Sequence, residues 1–98
     1  TFSKIEFKRG KVLIGEDAPI HVYNSLTLLN VEFNTANAGL KHAGLRLHYN
    51  STATNSINNA RFKNGEKALI AHWYNSTSPL EINNSLFEDN TIGFHCDR

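Results

Sequence analysis

The sequence predicts an all-β fold, a single-stranded parallel β-helix of about four coils of roughly 25 residues each, right-handed by the general rule for parallel crossovers, and three observations carry the coil and its period. The first is a repeat with two markers. Phe7, Phe33, Phe62 and Phe87 lie 26, 29 and 25 residues apart, and each closes a similar frame, Phe2–Phe7, Leu28–Phe33, Ile57–Phe62 and Ile82–Phe87. The triplet Tyr-Asn-Ser recurs in parallel at Tyr23, Tyr49 and Tyr74, with intervals of 26 and 25 residues. The second observation is period-two alternation in short apolar runs such as Ile20–Tyr23, Leu45–Tyr49 and Ile92–Cys96, with no helical stripe anywhere. The third is that Gly10, Gly39, Gly44, Gly65 and Gly93, with Asn, Ser and Thr between the runs, accept the tight bends a coil needs.

The coils follow in order as residues 1–25, 26–51, 52–76 and 77–98. Within the frames the first position reads Phe2, Leu28, Ile57, Ile82, and the last is phenylalanine each time. Equivalent residues of successive coils sit about 4.8 Å apart, so both positions become interior stacks. The third position reads Lys4, Asn30, Asn59, Asn84. Asparagine tolerates left-handed backbone, and its amide bonds the same amide in the next coil, so these residues form a ladder at a bend, broken by Lys4 in the first coil. The Tyr-Asn-Ser triplets read as a second set of bends, where Ser25, Ser51 and Ser76 serve turn chemistry.

Composition narrows the function classes. With 98 residues, 40% hydrophobic and 19% charged, the chain holds one modest core. Ten basic and nine acidic residues spread along it give no field suited to nucleic acid. No apolar run approaches the length of about 18 residues that a membrane span needs. Cys96 is the single cysteine, so it forms no internal disulfide, and its place in the final strand suggests a small buried residue. Neither a phosphate-cradling loop nor a nucleophile elbow occurs, and no cofactor is expected.

The frames that run from Ile57 to Gly65 and from Ile82 to Asn90 resemble the repeats of right-handed parallel β-helices of the pectin-lyase-like superfamily, which read apolar-x-Asn-small-x-Phe followed by Asn or Gly. The resemblance covers nearly the whole chain but concerns stacking and bends, and it brings no active site with it. Enzymes of that superfamily carry acids on the outer face of adjacent coils. The frame alignment puts Glu6 over Glu32, with Arg61 on the next coil. These are the candidate catalytic residues of a polysaccharide lyase or glycoside hydrolase, since two carboxylates about 5 Å apart could work as acid and nucleophile. The same column also reads as an exposed face on which an arginine relieves repulsion. Polygalacturonase signatures are missing: Asn34-Thr35-Ala36 has alanine where the family has a carboxylate. The aspartates Asp17, Asp89 and Asp97 are too scattered for the calcium cluster of a pectate lyase. A second acidic spot, Glu88 and Asp89 beside Glu66 and Lys63, reads as a solvated bend.

Histidines give a second constellation. His48, His72 and His95 fall within one residue of a common column, with His21 nearby. A one-residue offset turns a side chain to the other face, so hydrogen-bonded surface histidines are expected and no metal site. With Trp73 and Tyr74, His48 and His72 form a candidate binding surface for a sugar or a protein. Asn50, Asn75 and Asn83 each head an Asn-x-Ser/Thr acceptor for N-glycosylation, which fits an extracellular or cell-surface setting. Together these readings predict a non-catalytic, rigid scaffold or recognition segment of a larger cell-surface, adhesion or junction protein. Its expected partner is a protein or glycan at a cell surface, and the remainder of the parent chain is expected to stack on both ends.

Overall fold

The computed structural model describes residues 2–48, 55–72 and 80–97. Eleven strands, and no helix among the described residues, make up the fold: β1 (Phe2–Phe7), β2 (Gly10–Ile14), β3 (Ile20–Leu29), β4 (Val31–Thr35), β5 (Leu45–His48), β6 (Asn55–Asn58), β7 (Arg61–Lys63), β8 (Lys67–His72), β9 (Leu80–Asn83), β10 (Leu86–Glu88) and β11 (Ile92–Asp97). Every pairing between strands is parallel. One sheet runs β11-β8-β5-β3-β6-β9, with β1 also on β3, and the other runs β10-β7-β4-β2. The chain is therefore a β-solenoid of about three turns.

The core lies between the sheets as columns of like residues. Leu28 opposes Ile57, which opposes Ile82, and Phe33 opposes Phe62, which opposes Phe87. The phenylalanine rings stack with centroids 5.1 and 4.9 Å apart and planes within 3° and 7°. Phe33 and Phe62 are fully buried. Aromatic rings stacked over such areas combine apolar burial with favourable ring contact.

The first turn departs from the expected alignment. Phe7 pairs with Leu28, and Val12 pairs with Phe33, so the first frame is Phe7–Val12 and not Phe2–Phe7. Phe7 stands in the Leu/Ile column, and the phenylalanine stack has three members resting on Val12. Likewise Arg9, which precedes Gly10 as Asn30 precedes Val31, ends the asparagine ladder, in place of Lys4. Alternation allowed either frame, because Phe2, Ile5 and Phe7 offer an apolar residue at both ends of a six-residue window. Pairing with β3 decides between them.

The ladder itself is present. Asn30, Asn59 and Asn84 have φ of 56°, 52° and 49°, the left-handed region. Asn59 donates through Nδ2 to Asn30 Oδ1. All three are exposed, so the ladder serves backbone conformation more than buried polar groups. A second left-handed corner ends the phenylalanine strands at Asn64 and Asp89, both with φ 58°. There Asn64 Nδ2 donates to Asn34 Oδ1 at 2.8 Å.

Two further expectations change. Tyr23-Asn24-Ser25 is not a bend, since it lies inside the ten-residue β3, where pairing with β1 slips between Phe2 and Lys4. Cys96 opposes Ala71 in an inward column yet is exposed, because β11 is the edge strand of its sheet. The triplets at Tyr49 and Tyr74 lie outside the described residues.

Phe62→Ala is expected to lower unfolding free energy by about 3–5 kcal/mol, since the cavity would lie between two stacked rings. Asn59→Val is expected to destabilise by about 1–2 kcal/mol through the left-handed backbone, while Asn59→Gly costs less than that. Urea denaturation of the three variants checks both statements.

Candidate functional site

Three places bring chemically capable side chains together. The first is the outward column of the four-stranded sheet. Register places Lys11 beside Glu32, Glu32 beside Arg61 and Arg61 beside Leu86. Lys11 Nζ lies 3.4 Å from Glu32 Oε2. Glu32 thus stands between two cations. Glu6 is on β1 in the other sheet, opposite Thr27, where its carboxylate pairs with Lys8 at 3.3 Å and Lys4 at 4.0 Å. The Glu6-over-Glu32 column is therefore not formed, while Glu32 and Arg61 are neighbours as expected. The cause is the five-residue shift of the first frame, which delivers Lys11 to the position expected for Glu6. Glu32 is therefore tied to the preceding coil by an ion pair, with no second carboxylate beside it in the column.

At the next corner Lys63 Nζ and Glu88 Oε1 lie 3.5 Å apart across adjacent coils. Glu66 Oε2 accepts from Thr91 Oγ1 at 3.3 Å. The second acidic spot is thus a paired, solvated bend. Exposed pairs of this kind contribute little stability each.

The second place is the outward face of β3, β5 and β8. Alternation sends Val22, Leu47 and Ala71 into the core and turns Tyr23, His48 and His72 outward. His48 opposes His72 directly, with ring centroids 4.7 Å apart and planes 11° apart. Tyr23 continues the column, 4.4 Å from His48 at 10°. His21 lies diagonal to this column, and its Nδ1 is 2.8 Å from His48 Nε2, so one of the two rings donates and the other accepts. His95 opposes Ile70 and not His72, whose neighbour on β11 is Asp97. The common histidine column thus holds His48 and His72, with His95 two residues back along the strand. Trp73 and Tyr74 lie outside the described residues, as do Asn50 and Asn75.

This geometry restricts the chemistry of the strip. Nitrogens on stacked, near-parallel rings point alongside one another, whereas a metal needs them to converge at about 2.1 Å. Among the described residues no group of three or more His, Cys, Asp or Glu is placed to hold a metal ion. The faces of His48 are covered by Tyr23 and His72, so the strip is no flat stacking platform, and both ring nitrogens of His72 are buried. Burial lowers the pKa of His21 and of His48, with Arg46 and neighbouring histidines acting in the same direction.

The third place is a groove of ≈ 510 Å³ between the four-stranded sheet and the loop 36–44, lined in part by Asn34, Thr35, Leu40, Lys41 and Asn64. Its polar atoms bond within the chain: Asn34 Oδ1 accepts from Thr35 N and Asn64 Nδ2, and Thr35 Oγ1 donates to Asn37 O at 3.1 Å. Lys41 Nζ donates to Asp89 O. Asn83, the one acceptor asparagine among the described residues, is exposed on β9 opposite Asn58. Its Ser85 hydroxyl donates to Asn83 O at 2.9 Å and accepts from Ala60 N at 3.2 Å.

Sequence reading did not single out His42 or Asn55, the buried polar residues of the fold. Asn55 sits between Leu26 and Leu80, and its Oδ1 accepts the Leu26 backbone N–H at 2.8 Å. The sign of His42 was the 29-residue interval between Phe33 and Phe62, longer than its neighbours, which marks extra chain in that turn. Among the described residues no helix is long and apolar enough to cross a membrane. No family model matches the chain, and neither does a curated protein or a solved structure.

Because folding lowers the pKa of His21 and His48, the unfolded chain binds protons first as pH falls. Their contribution is complete above the ordinary value of about 6.5 and is lost as pH drops through the folded-state values. The urea midpoint is therefore expected to be lower at pH 5.5 than at pH 7.5, and His48→Gln should shrink that difference. An unchanged midpoint in the parent chain would contradict this reading.

Proposed function

We propose that the chain is a non-catalytic segment of a right-handed parallel β-helix of the pectin-lyase-like kind, acting as a stiff scaffold or recognition surface in a larger extracellular or cell-surface protein. The observation that carries this reading is the fate of the candidate catalytic column. Glu32 is held between Lys11 and Arg61, and Glu6 is bonded on the other sheet, so both carboxylates serve coil-to-coil and local pairing. Parallel strands joined by crossovers in one sheet are right-handed in nearly all cases, which supports the hand.

Contact with a protein or glycan falls in this reading to the outward strip of Tyr23, His21, His48 and His72, while Trp73 and Tyr74 lie outside the described residues. The strip is presented on three paired strands, and a surface backed by a sheet holds its donors and acceptors at fixed spacing. Asparagine acceptors support the extracellular setting, and the exposed Asn83 side chain leaves room for a glycan at that site.

Two experiments test the proposal. Incubation with pectins, alginate and hyaluronan is expected to release neither reducing ends nor unsaturated products, and Glu32→Gln is expected to cost less than about 1 kcal/mol of stability. Product release that disappears in Glu32→Gln would overturn the non-catalytic reading in favour of a polysaccharide lyase or hydrolase. Secretion from eukaryotic cells is expected to give a glycan-bearing chain that loses mass in Asn83→Gln. A secreted chain with all three acceptors empty would remove the support for an extracellular glycoprotein.

A further inference from the structure

Between β4 and β5 the corner takes nine residues, 36–44, where the corners before β8 and β11 take three each. Residues 36–41 are exposed, but the chain then returns between the turns. His42 N donates to Asn64 O at 2.9 Å and His42 O accepts from Glu66 N at 3.0 Å, so this residue forms an isolated parallel bridge with Gly65 of the following turn. Ala43 N donates to Gly15 O at 2.9 Å, and Gly44 O accepts from Ile20 N at 3.0 Å, on the preceding turn. Residues 42–44 are therefore a rung between two turns.

The ring of His42 is 0% exposed. It occupies a slot that Gly65 leaves open, since a Cβ there would fall 2.7 Å from Cε1 and 2.9 Å from Nε2. Gly44, at φ +90°, closes the rung against the Lys67 carbonyl, with no space for a side chain. Its backbone N–H donates to His42 Nδ1 at 3.0 Å. A ring nitrogen that accepts carries no proton, so the neutral ring bears its hydrogen on Nε2. That nitrogen makes no hydrogen bond of normal geometry.

We propose that His42 is an acid-sensitive latch. When neutral, its Nδ1 holds Gly44 and pins the loop 36–44 between the turns. A proton taken from solvent onto Nδ1 converts that acceptor into a donor facing the Gly44 N–H, and it also places a charge in a closed slot. Both changes favour the ring leaving the slot, with the four backbone bonds of the rung following it. The loop forms one wall of the ≈ 510 Å³ groove through Ala36, Ala38, Gly39, Leu40 and Lys41, so release of the latch opens that groove.

The charged groups around the ring act in one net direction. Burial holds the imidazole below its ordinary pKa, Lys41 on the same loop adds to this, and a backbone contact with Lys63 opposes it. Glu66 and Lys67 flank the slot on the following turn, and Glu16 and Asp17 on the preceding one. The Glu66 carboxylate is engaged by Thr91, and that of Glu16 by Asn37. Neither makes a hydrogen bond to the ring. The bonded, neutral state is therefore complete above about pH 6.5, and acid favours the open state between that value and the lower folded-state pKa.

Nuclear magnetic resonance on the whole chain tests the latch through ring nitrogen shifts and amide exchange. At pH 7.5 the His42 ring is expected to carry its proton on Nε2. Between pH 6.5 and 5.5, exchange protection at Ile20, Ala43, Gly44 and Glu66, corrected for intrinsic rates, is expected to fall up to about tenfold further than that of the β7 amides, which follow global stability alone. His42→Gln retains an acceptor that does not titrate, so it should abolish that pH dependence. If that variant fails to fold, the parent chain alone decides. A proton on Nδ1 at pH 7.5, rung protection unchanged down to pH 5.5, or rung protection falling no further than that of β7 would each overturn the proposal.

Discussion

Parallel register between consecutive turns is the constraint on which the rest of the structure depends. Each strand is bonded to its counterpart one turn away at about 4.8 Å, so the nearest neighbours of a side chain are the residues at its own position in the turns above and below. Phenylalanine therefore meets phenylalanine, histidine meets histidine and asparagine meets asparagine. A position that suits its neighbours once suits them in every turn, and this is why a short repeat can build a core from Phe33, Phe62, Phe87 and the Leu28, Ile57, Ile82 column.

The same register governs the outer surface. Like charges stacked at strand spacing repel, so an outward column that carries ionisable residues does best by alternating sign, as Lys11, Glu32 and Arg61 do. Uncharged imidazoles escape that penalty and stack, but every added proton brings it back. The histidine strip and the ion-paired column are thus two solutions to one problem. Each joins one coil to the next, through the Lys11–Glu32 pair in one case and stacked rings in the other.

Departures from the repeat concentrate the polar groups that the core encloses. The nine-residue corner brings His42 inside, and Asn55 stands in place of an aliphatic residue between Leu26 and Leu80. In both cases the side chain accepts a backbone N–H, from Gly44 or from Leu26. Each side chain thereby satisfies a backbone donor that would otherwise be buried without a partner. Glycine completes the arrangement at Gly44 and Gly65, where a Cβ would strike the Lys67 carbonyl or the His42 ring.

The sequence by itself determined the all-β class, the stacked repeat, the phenylalanine column from Phe33 onward, the left-handed ladder at Asn30, Asn59 and Asn84, and the register of Glu32 beside Arg61. These follow from period and residue type, which stacking preserves from turn to turn. Only the tertiary structure decided the first frame, and with it the separation of Glu6 from Glu32, because Phe2, Ile5 and Phe7 satisfy two alignments and pairing with β3 selects one. The histidine strip was legible as a cluster but not in register, since a shift of two residues leaves a side chain on the same face while changing its neighbour from His72 to Ile70. The longer Phe33–Phe62 interval marked extra chain in that turn but not the burial of His42. That burial depends on an inserted loop folding back between turns, and a chain reads insertion length locally while the slot that receives it is made by Gly65, more than twenty residues away.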